Sequence, residues 1–237
     1  MPNFIPLWKD GPLFAESPHF KLSTDSILLA DFINISQAKR GIDLGCGSGI
    51  ISLLLLSRSE KLQMTGLEIN PEAAELAGAN MAENGLCERS WIVTGDIRCH
   101  RELFRAGSFD LAAANPPYFP ERSGLMSPKS DRAAARGELQ CTLRQLCEAA
   151  AFLLKTGGSF CVVHRSERLS ELLCTMSACS LEPKRLRLVQ HRISAAPSLV
   201  LVEGRRGGKP GMKIEPTLIL SDEDGNETEE YRRIYHR

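Results

Sequence analysis

Residues 109–118, Phe-Asp-Leu-Ala-Ala-Ala-Asn-Pro-Pro-Tyr, deliver a polar amide, two prolines and a phenol ring at the end of an apolar run of strand type. Pro116 biases Asn115 away from the helical region, and each proline fixes its own φ and lacks an N–H donor. The turn is therefore stiff, and carbonyls beside it lose their usual local partners. A rigid patch of acceptors beside a π-face suits a flat group bearing an amino nitrogen. Such a nitrogen can donate to the Asn115 side-chain oxygen and to the Pro116 carbonyl, with Tyr118 against the ring plane. Asn115, Pro116, Pro117 and Tyr118 are the candidate catalytic residues. Taken alone, the same four residues also fit a strand followed by a proline turn, with Tyr118 simply packing.

A second group lies earlier. Gly41-Ile42-Asp43-Leu44-Gly45-Cys46-Gly47-Ser48-Gly49-Ile50 reads as a short apolar strand running into alternate glycines, followed by helix-forming residues as far as Leu56. Gly45, Gly47 and Gly49 permit tight turning and let a ligand approach bare backbone. A helix beginning near Gly49 points unpaired N–H groups into the same space, which favours a carboxylate or phosphate. The loop lacks the lysine and hydroxyl pair of a nucleotide-triphosphate loop. About 20 residues on, Met64-Thr65-Gly66-Leu67-Glu68 reads as a second strand ending in a carboxylate, with Ile69 beside it. Glu68 can accept from both hydroxyls of a ribose, and its charge disfavours a phosphate there. Trp91 to Thr94 is a third strand; Asp96 beyond it can accept from the exocyclic amine of an adenine, with Ile97 against the ring. Either acid alone fits a solvated turn. At successive strand ends they read as one site.

The elements that must position these groups alternate between strand and helix. Ser23, Thr24 or Asp25 can cap a short helix through Phe32. Asn70-Pro71-Glu72 opens a helix that runs to about Asn84 and stops at Gly85. Phe109 to Ala114 is the fourth strand; Glu138 to Lys155 carries apolar residues at helical spacing, with Gly157-Gly158 as the stop. Phe160 to Val163 is a fifth strand, Glu167 to Cys179 a helix, and Arg185 to Val189 and Ser198 to Val202 two more strands, with Glu229 to Tyr235 as a closing helix. Such alternation argues for a parallel α/β sheet, in which ligands bind at the carboxyl ends of strands near the reversal of strand order. Residues 1–20 read as an irregular or hairpin-like lead-in. Residues 119–137, broken by Pro120, Gly124, Pro128 and Gly137, read as a long loop of functional kind. Lys184, Arg185, Arg187, Arg192, Arg205, Arg206, Lys209 and Lys213 face only Glu203, a candidate docking surface for nucleic acid or else a solvated basic face.

Composition bounds the rest. With 237 residues and a net charge of +0, the chain holds one sizeable core and is no polyanion binder of the histone kind. Its eight cysteines contain no Cys-x-x-Cys pair, so reduced thiols in a cytoplasmic protein are expected, without a metal. No signal peptide and no apolar run of membrane-spanning length is evident.

Asp43 to Gly49, the strand-end Glu68, Gly95-Asp96 and Asn115-Pro116-Pro117-Tyr118 together resemble class I S-adenosylmethionine-dependent methyltransferases that modify amino nitrogens. The resemblance covers about residues 20–205. It implies a Rossmann-like, seven-stranded, mostly parallel sheet with helices on both faces and the last strand antiparallel. A narrower resemblance rests on Thr24-Asp25-Ser26-Ile27-Leu28-Leu29, His164-Arg165, Leu181 to Arg187 and Val202 to Gly211. These segments are similar to the bacterial tRNA adenine-N6 methyltransferases, which modify the adenosine beside the anticodon of a valine tRNA. The resemblance implies a methyltransferase domain over residues 21–205, with residues 206–237 packed on it as an extension. It also implies that Asp43 and the backbone of Gly45 to Gly49 hold the methionine end of the cofactor, with Thr24 or Asp25 closing over it. Glu68 and Ile69 would then border the ribose, Asp96 and Ile97 the adenine, and Asn115 both cofactor and target. A protein glutamine methyltransferase would present a similar flat amide to the turn, but the forty or so residues before Gly41 are too few for its helical recognition domain. An rRNA guanine-N2 methyltransferase and a non-catalytic, cofactor-binding RNA-binding protein complete the alternatives.

Overall fold

The computed structural model describes residues 2–18, 21–116 and 141–237. The lead-in forms a two-strand antiparallel hairpin, β1 (Ile5–Pro6) and β2 (Leu13–Phe14), and α1 (Thr24–Phe32) follows. The first half of the sheet alternates β3 (Arg40–Leu44), α2 (Ile50–Ser57), β4 (Gln63–Glu68), α3 (Pro71–Glu83) and β5 (Ser90–Thr94). A short α4 (His100–Leu103) leads to β6 (Phe109–Ala114). Further along come α5 (Leu143–Leu153), β7 (Leu154–Arg165), α6 (Leu169–Ala178), β8 (Leu181–Gln190) and β9 (Leu199–Arg206). The end of the chain supplies β10 (Lys213–Ile214), β11 (Leu218–Ile219) and α7 (Glu229–Ile234).

The strands lie in the order β10-β8-β9-β7-β6-β3-β4-β5, with β11 also on β8. The expected seven strands are all present: β3 to β7 and β8 run one way, and β9, the last long strand, lies antiparallel between β7 and β8. The short β10 and β11 widen that sheet to nine by adding parallel to the β8 edge. Strand order reverses between β3 and β6, which pair in register Ile42↔Ala112. A crevice at the carboxyl ends of these two strands is where such sheets take ligands.

Alternation along β6 sends Leu111 and Ala113 to a core with α1 and α2, and Ala112 and Ala114 to a second core with α5 and α6. Both faces are covered, which is why these strands read as continuous apolar runs. Helix α3 starts as its sequence dictates: the Asn70 side chain accepts from the backbone N–H groups of Glu72 and Ala73, with Pro71 in the first turn. Helix α5 is opened by a reciprocal Thr142–Gln145 capping box.

Several predicted boundaries shift. Helix α5 ends at Leu153, because Leu154 and Lys155 already belong to β7. Gly157-Gly158 therefore does not stop a helix; it sits inside β7, where the register against β6 slips between Phe109 and Leu111. Strand β8 begins at Leu181 and tolerates Pro183 because the pairing with β9 is irregular between Pro183 and Arg185. Ser23 precedes α1 as its cap residue but makes no side-chain capping bond. The loop read at 119–137 lies outside the described residues.

Of the basic residues from Lys184 to Lys213, Lys184, Arg185, Arg187, Arg205 and Arg206 are partnered within the fold, while Arg192, Lys209 and Lys213 are exposed. Arg185 pairs with Glu203 and Glu215 and donates to the Phe32 carbonyl, while Arg187 pairs with Glu230. Lys184 donates to the Lys209 and Gly211 carbonyls, Arg205 to that of Gly157 and Arg206 to that of Leu154. These cations latch the β8–β9 edge and the C-terminal segment together. Among the described residues, no helix is long and apolar enough to cross a membrane.

Candidate active site

The loop after β3 is built to expose backbone. Gly45 and Cys46 both donate their N–H groups to the Leu67 carbonyl, at 2.8 and 3.1 Å, so the loop folds over the end of β4. Gly47 has φ +53, a left-handed conformation, and a Cβ there would meet nothing within 4 Å: the space above it is open. Gly49, at φ +83, opens α2 and is needed for close approach instead, since a Cβ would lie 3.1 Å from that of Ala77 and 3.0 Å from Met81 Cε.

Glu68 is 8% exposed at the end of β4. Its Oε2 accepts from Gly47 N–H at 2.8 Å and its Oε1 from Asn70 N–H at 2.9 Å. The carboxylate thus braces the glycine loop against the start of α3, and its remaining lone pairs are available to a ligand hydroxyl. Ile69 beside it is 43% exposed, a large apolar surface at the rim.

Asp43 is the most perturbed acid among the described residues. It is 0% exposed, its Oδ2 accepts from Ser52 Oγ at 3.4 Å, and its Oδ1 is buried with no partner among those residues. Burial pushes its carboxyl up to about 7, with the nearby Glu68 charge adding to the rise. Burial likewise pushes the Cys46 thiol well above its ordinary range.

Asp96 follows β5 and caps the turn beyond it by accepting from Arg98 N–H at 2.8 Å. The Arg98 guanidinium also grips both carboxylate oxygens, which holds the acid below the usual carboxylate range. Ile97 is half-buried, its Cδ1 4.0 Å from a Cβ built on Gly45.

Asn115 and Pro116 emerge half-buried from β6, directly across the strand-order reversal from the glycine loop. The Asn115 amide Nδ2 donates to Ser26 Oγ at 2.9 Å, so the first turn of α1 borders the crevice. Thr24 and Asp25 lie half-buried on that turn, and Thr24 Oγ1 accepts from the Tyr235 hydroxyl at 3.1 Å. Pro117 and Tyr118 lie outside the described residues.

Two participants were not singled out in the sequence. Ser26 meets Asn115, and nothing in a lone helical serine announces that. Asn80 is fully buried: its Nδ2 donates to the carbonyls of Ser48 and Ala15 at 2.9 and 3.2 Å, and its Oδ1 accepts from Ala15 N–H at 2.8 Å. Asn84, one turn on, accepts from and donates to the Leu13 backbone. The signal was legible: two asparagines four residues apart on an alanine-rich helix share one face.

Strand order, the glycine loop after the first sheet strand and the acid after the second define a class I methyltransferase. Comparison with known proteins agrees, since residues 14–178 match the family model described as the methyltransferase small domain. A tRNA1(Val) (adenine(37)-N6)-methyltransferase of Tolumonas auensis is 32% identical over 212 residues, 89% of this chain and 86% of its own length. One from Porphyromonas gingivalis W83 is 29% identical over 242 residues, 99% of this chain and 94% of its own. The chain belongs to the methyltransferase small-domain family and, within it, groups with these adenine-N6 relatives. A predicted O-methyltransferase of Agrobacterium tumefaciens, solved by crystallography, shares the fold with a TM-score of 0.72 at 20% identity, over 90% of this chain and 96% of that one.

Proposed function

We propose that the chain uses S-adenosylmethionine to methylate the exocyclic N6 amine of an adenine in tRNA, the anticodon-loop adenosine of a valine tRNA. The observation that carries this reading is the placement of Asn115 and Pro116 at the carboxyl end of β6, beside the glycine loop at the strand-order reversal. The names of the relatives support the same substrate.

The residues fit the cofactor. The space above Gly47 is open, Glu68 offers acceptors suited to ribose hydroxyls, and the loop presents backbone at its closest approach. Asp43, Thr24 and Asp25 border the methionine end in this reading, with Ile69, Asp96 and Ile97 around the nucleoside. When bound, the cofactor supplies a methyl group activated by a sulfonium.

The chain's own work is orientation. The adenine amine is weakly nucleophilic because its lone pair is delocalised into the ring. Two acceptors, Asn115 Oδ1 and the Pro116 carbonyl, draw its two N–H bonds to one side and push the nitrogen towards tetrahedral geometry. That localises the lone pair on the opposite side and compensates positive charge developing on nitrogen. No general base is required, since a nitrogen that has gained a methyl group releases its proton to water. An anticodon loop is already unpaired, which lowers the cost of swinging the base into the crevice.

The test is direct. Purified protein is incubated with methyl-labelled S-adenosylmethionine and tRNA lacking the modification, and the nucleosides are read by mass spectrometry. N6-methyladenosine in valine tRNA is expected. Cofactor binding without transfer to any tRNA would overturn the reading in favour of a binding protein. Asn115→Ala should abolish transfer while leaving cofactor affinity within about threefold.

A further inference from the structure

We propose that the basic rim at the amino ends of β3 and β4, opposite the crevice, is where the phosphate backbone of the tRNA body docks. The inference rests on the tRNA reading given above and extends it to a surface remote from Asn115.

Two adjoining grooves of about 680 and 200 Å³ share Ser36, Gln37 and Ala38 as a common wall. Among the described residues, six cations and one acid line them, in a chain whose net charge is +0. Sheet pairing gathers three of the cations in the larger groove. Arg40 stands opposite Gln63 across β3 and β4, and Gln63 N–H donates to the Lys39 carbonyl at 2.9 Å, which brings Lys39, Arg40 and Lys61 together. All three are exposed, and no acid among the described residues pairs with them. Asp110, the one acid, is spent: it accepts from the Lys39 and Arg40 backbone N–H groups and holds Lys155 in an ion pair. Arg58 and Arg205 line the grooves too but donate to backbone carbonyls. Glu60, next to Lys61 in the chain, lines a different cavity.

The chemistry of this rim selects an RNA backbone. Its neutral polar lining, Ser36, Gln37, Ser59 and Gln63, offers hydroxyl and amide groups to phosphate and ribose. None of the exposed large hydrophobics among the described residues lines it, so it lacks the apolar anchors of a protein–protein interface or a membrane-inserted face. Cations that no acid claims are the electrostatic footprint that phosphates neutralise. The reach fits a whole tRNA. From Lys39 to Gly45 the chain climbs the length of β3, about 20 Å at about 3.3 Å per residue. An anticodon loop seated in the crevice does not touch the rim itself. A helical stem gaining roughly 3 Å per base pair covers that distance only after about seven pairs, so the contact falls on the RNA beyond the anticodon stem.

The variant is Lys39→Gln combined with Lys61→Gln. Neither lysine side chain is paired within the fold, so Tm and the Kd for S-adenosylmethionine should not change. In filter binding at about 0.1 M salt, the Kd for whole valine tRNA should rise about tenfold, and the slope of log K against log salt should become shallower by about 1.5. An anticodon stem-loop of about five base pairs, too short to reach the rim, should bind both proteins within about twofold. Lys9→Gln combined with Arg232→Gln removes as much charge from exposed positions away from the rim and should alter tRNA affinity less than about twofold. An unchanged Kd and slope, an equal loss in that control pair, or an equal loss on the stem-loop would overturn the proposal. So would lost binding to phosphatidylserine vesicles with tRNA affinity kept, which would make a membrane the occupant. Binding needs no methyl transfer. A wild type that holds tRNA through these lysines yet methylates none would refute the substrate reading and keep the docking rim. One that methylates tRNA while the double variant binds it as tightly would do the reverse, and a wild type with no tRNA affinity would overturn both.

Discussion

The stability of an Asp43→Asn variant, taken relative to wild type, should rise with pH. In the folded chain this carboxyl is wholly buried, accepts from Ser52, and is pushed up to about 7 from 3.8. Between those two values the folded state holds a proton that the unfolded state has released. Stability therefore falls as pH rises, by about 1.4 kcal/mol per pH unit, and levels off above the folded value. The full penalty on ionised Asp43 is about 4 kcal/mol, of which about 2.5 kcal/mol accrues between pH 5 and pH 8. The amide of the Asp43→Asn variant keeps the shape and one acceptor towards Ser52, and it does not titrate. Denaturant unfolding of both proteins at pH 5, 6, 7 and 8, read as the variant minus wild type, isolates this group. The acids held low in the fold, Asp96, Asp110 and Asp222, titrate below that range and cancel in the difference. A difference that stays flat from pH 5 to pH 8, or that shrinks, would refute the view that Asp43 is folded as a neutral acid.

Other outcomes follow from the same geometry. Glu68→Gln sets an amide N–H₂ against Gly47 or Asn70 N–H, so cofactor Kd by calorimetry should rise at least about tenfold. Asn80→Ala strands the Ser48 and Ala15 backbone groups and should destabilise by about 3 kcal/mol, near 10 °C in Tm. Arg185→Gln removes one of the two arginines paired with Glu203, which keeps Arg205 and Ser159, and should cost about 2 kcal/mol in denaturant unfolding. Its effect on tRNA affinity, measured by filter binding, should be under twofold, because this cation is spent inside the fold.

The parallel sheet was legible because its strands are buried on both faces and end in recognisable groups: glycines after Leu44, Glu68 after Leu67, Asn115 after Ala114. A cap carried one helix, at Asn70, whereas the capping box at Thr142 lies inside the stretch 138–155 that reads as continuous helix. What escaped notice was long-range. Gly157-Gly158 resembles a helix stop locally, and only pairing with β6 shows that it accommodates a slip in a strand. The cations around β8 read in one dimension as either a docking surface or a solvated face, because Glu215, Glu230 and the Phe32 carbonyl, the partners of Arg185 and Arg187, come from distant parts of the chain. The Ser26–Asn115 bond spans 89 positions and has no local signature.

One buried amide, that of Asn80, fastens the lead-in to the turn that carries Ser48. An amide nitrogen has two hydrogens to give, and here one goes to each side. Peeling Ala15 off α3 would leave half of that fastening with nothing to hold in a dry place. Residues 2–15 therefore work as a strap behind the glycine turn, and its tautness is set by a fully buried asparagine.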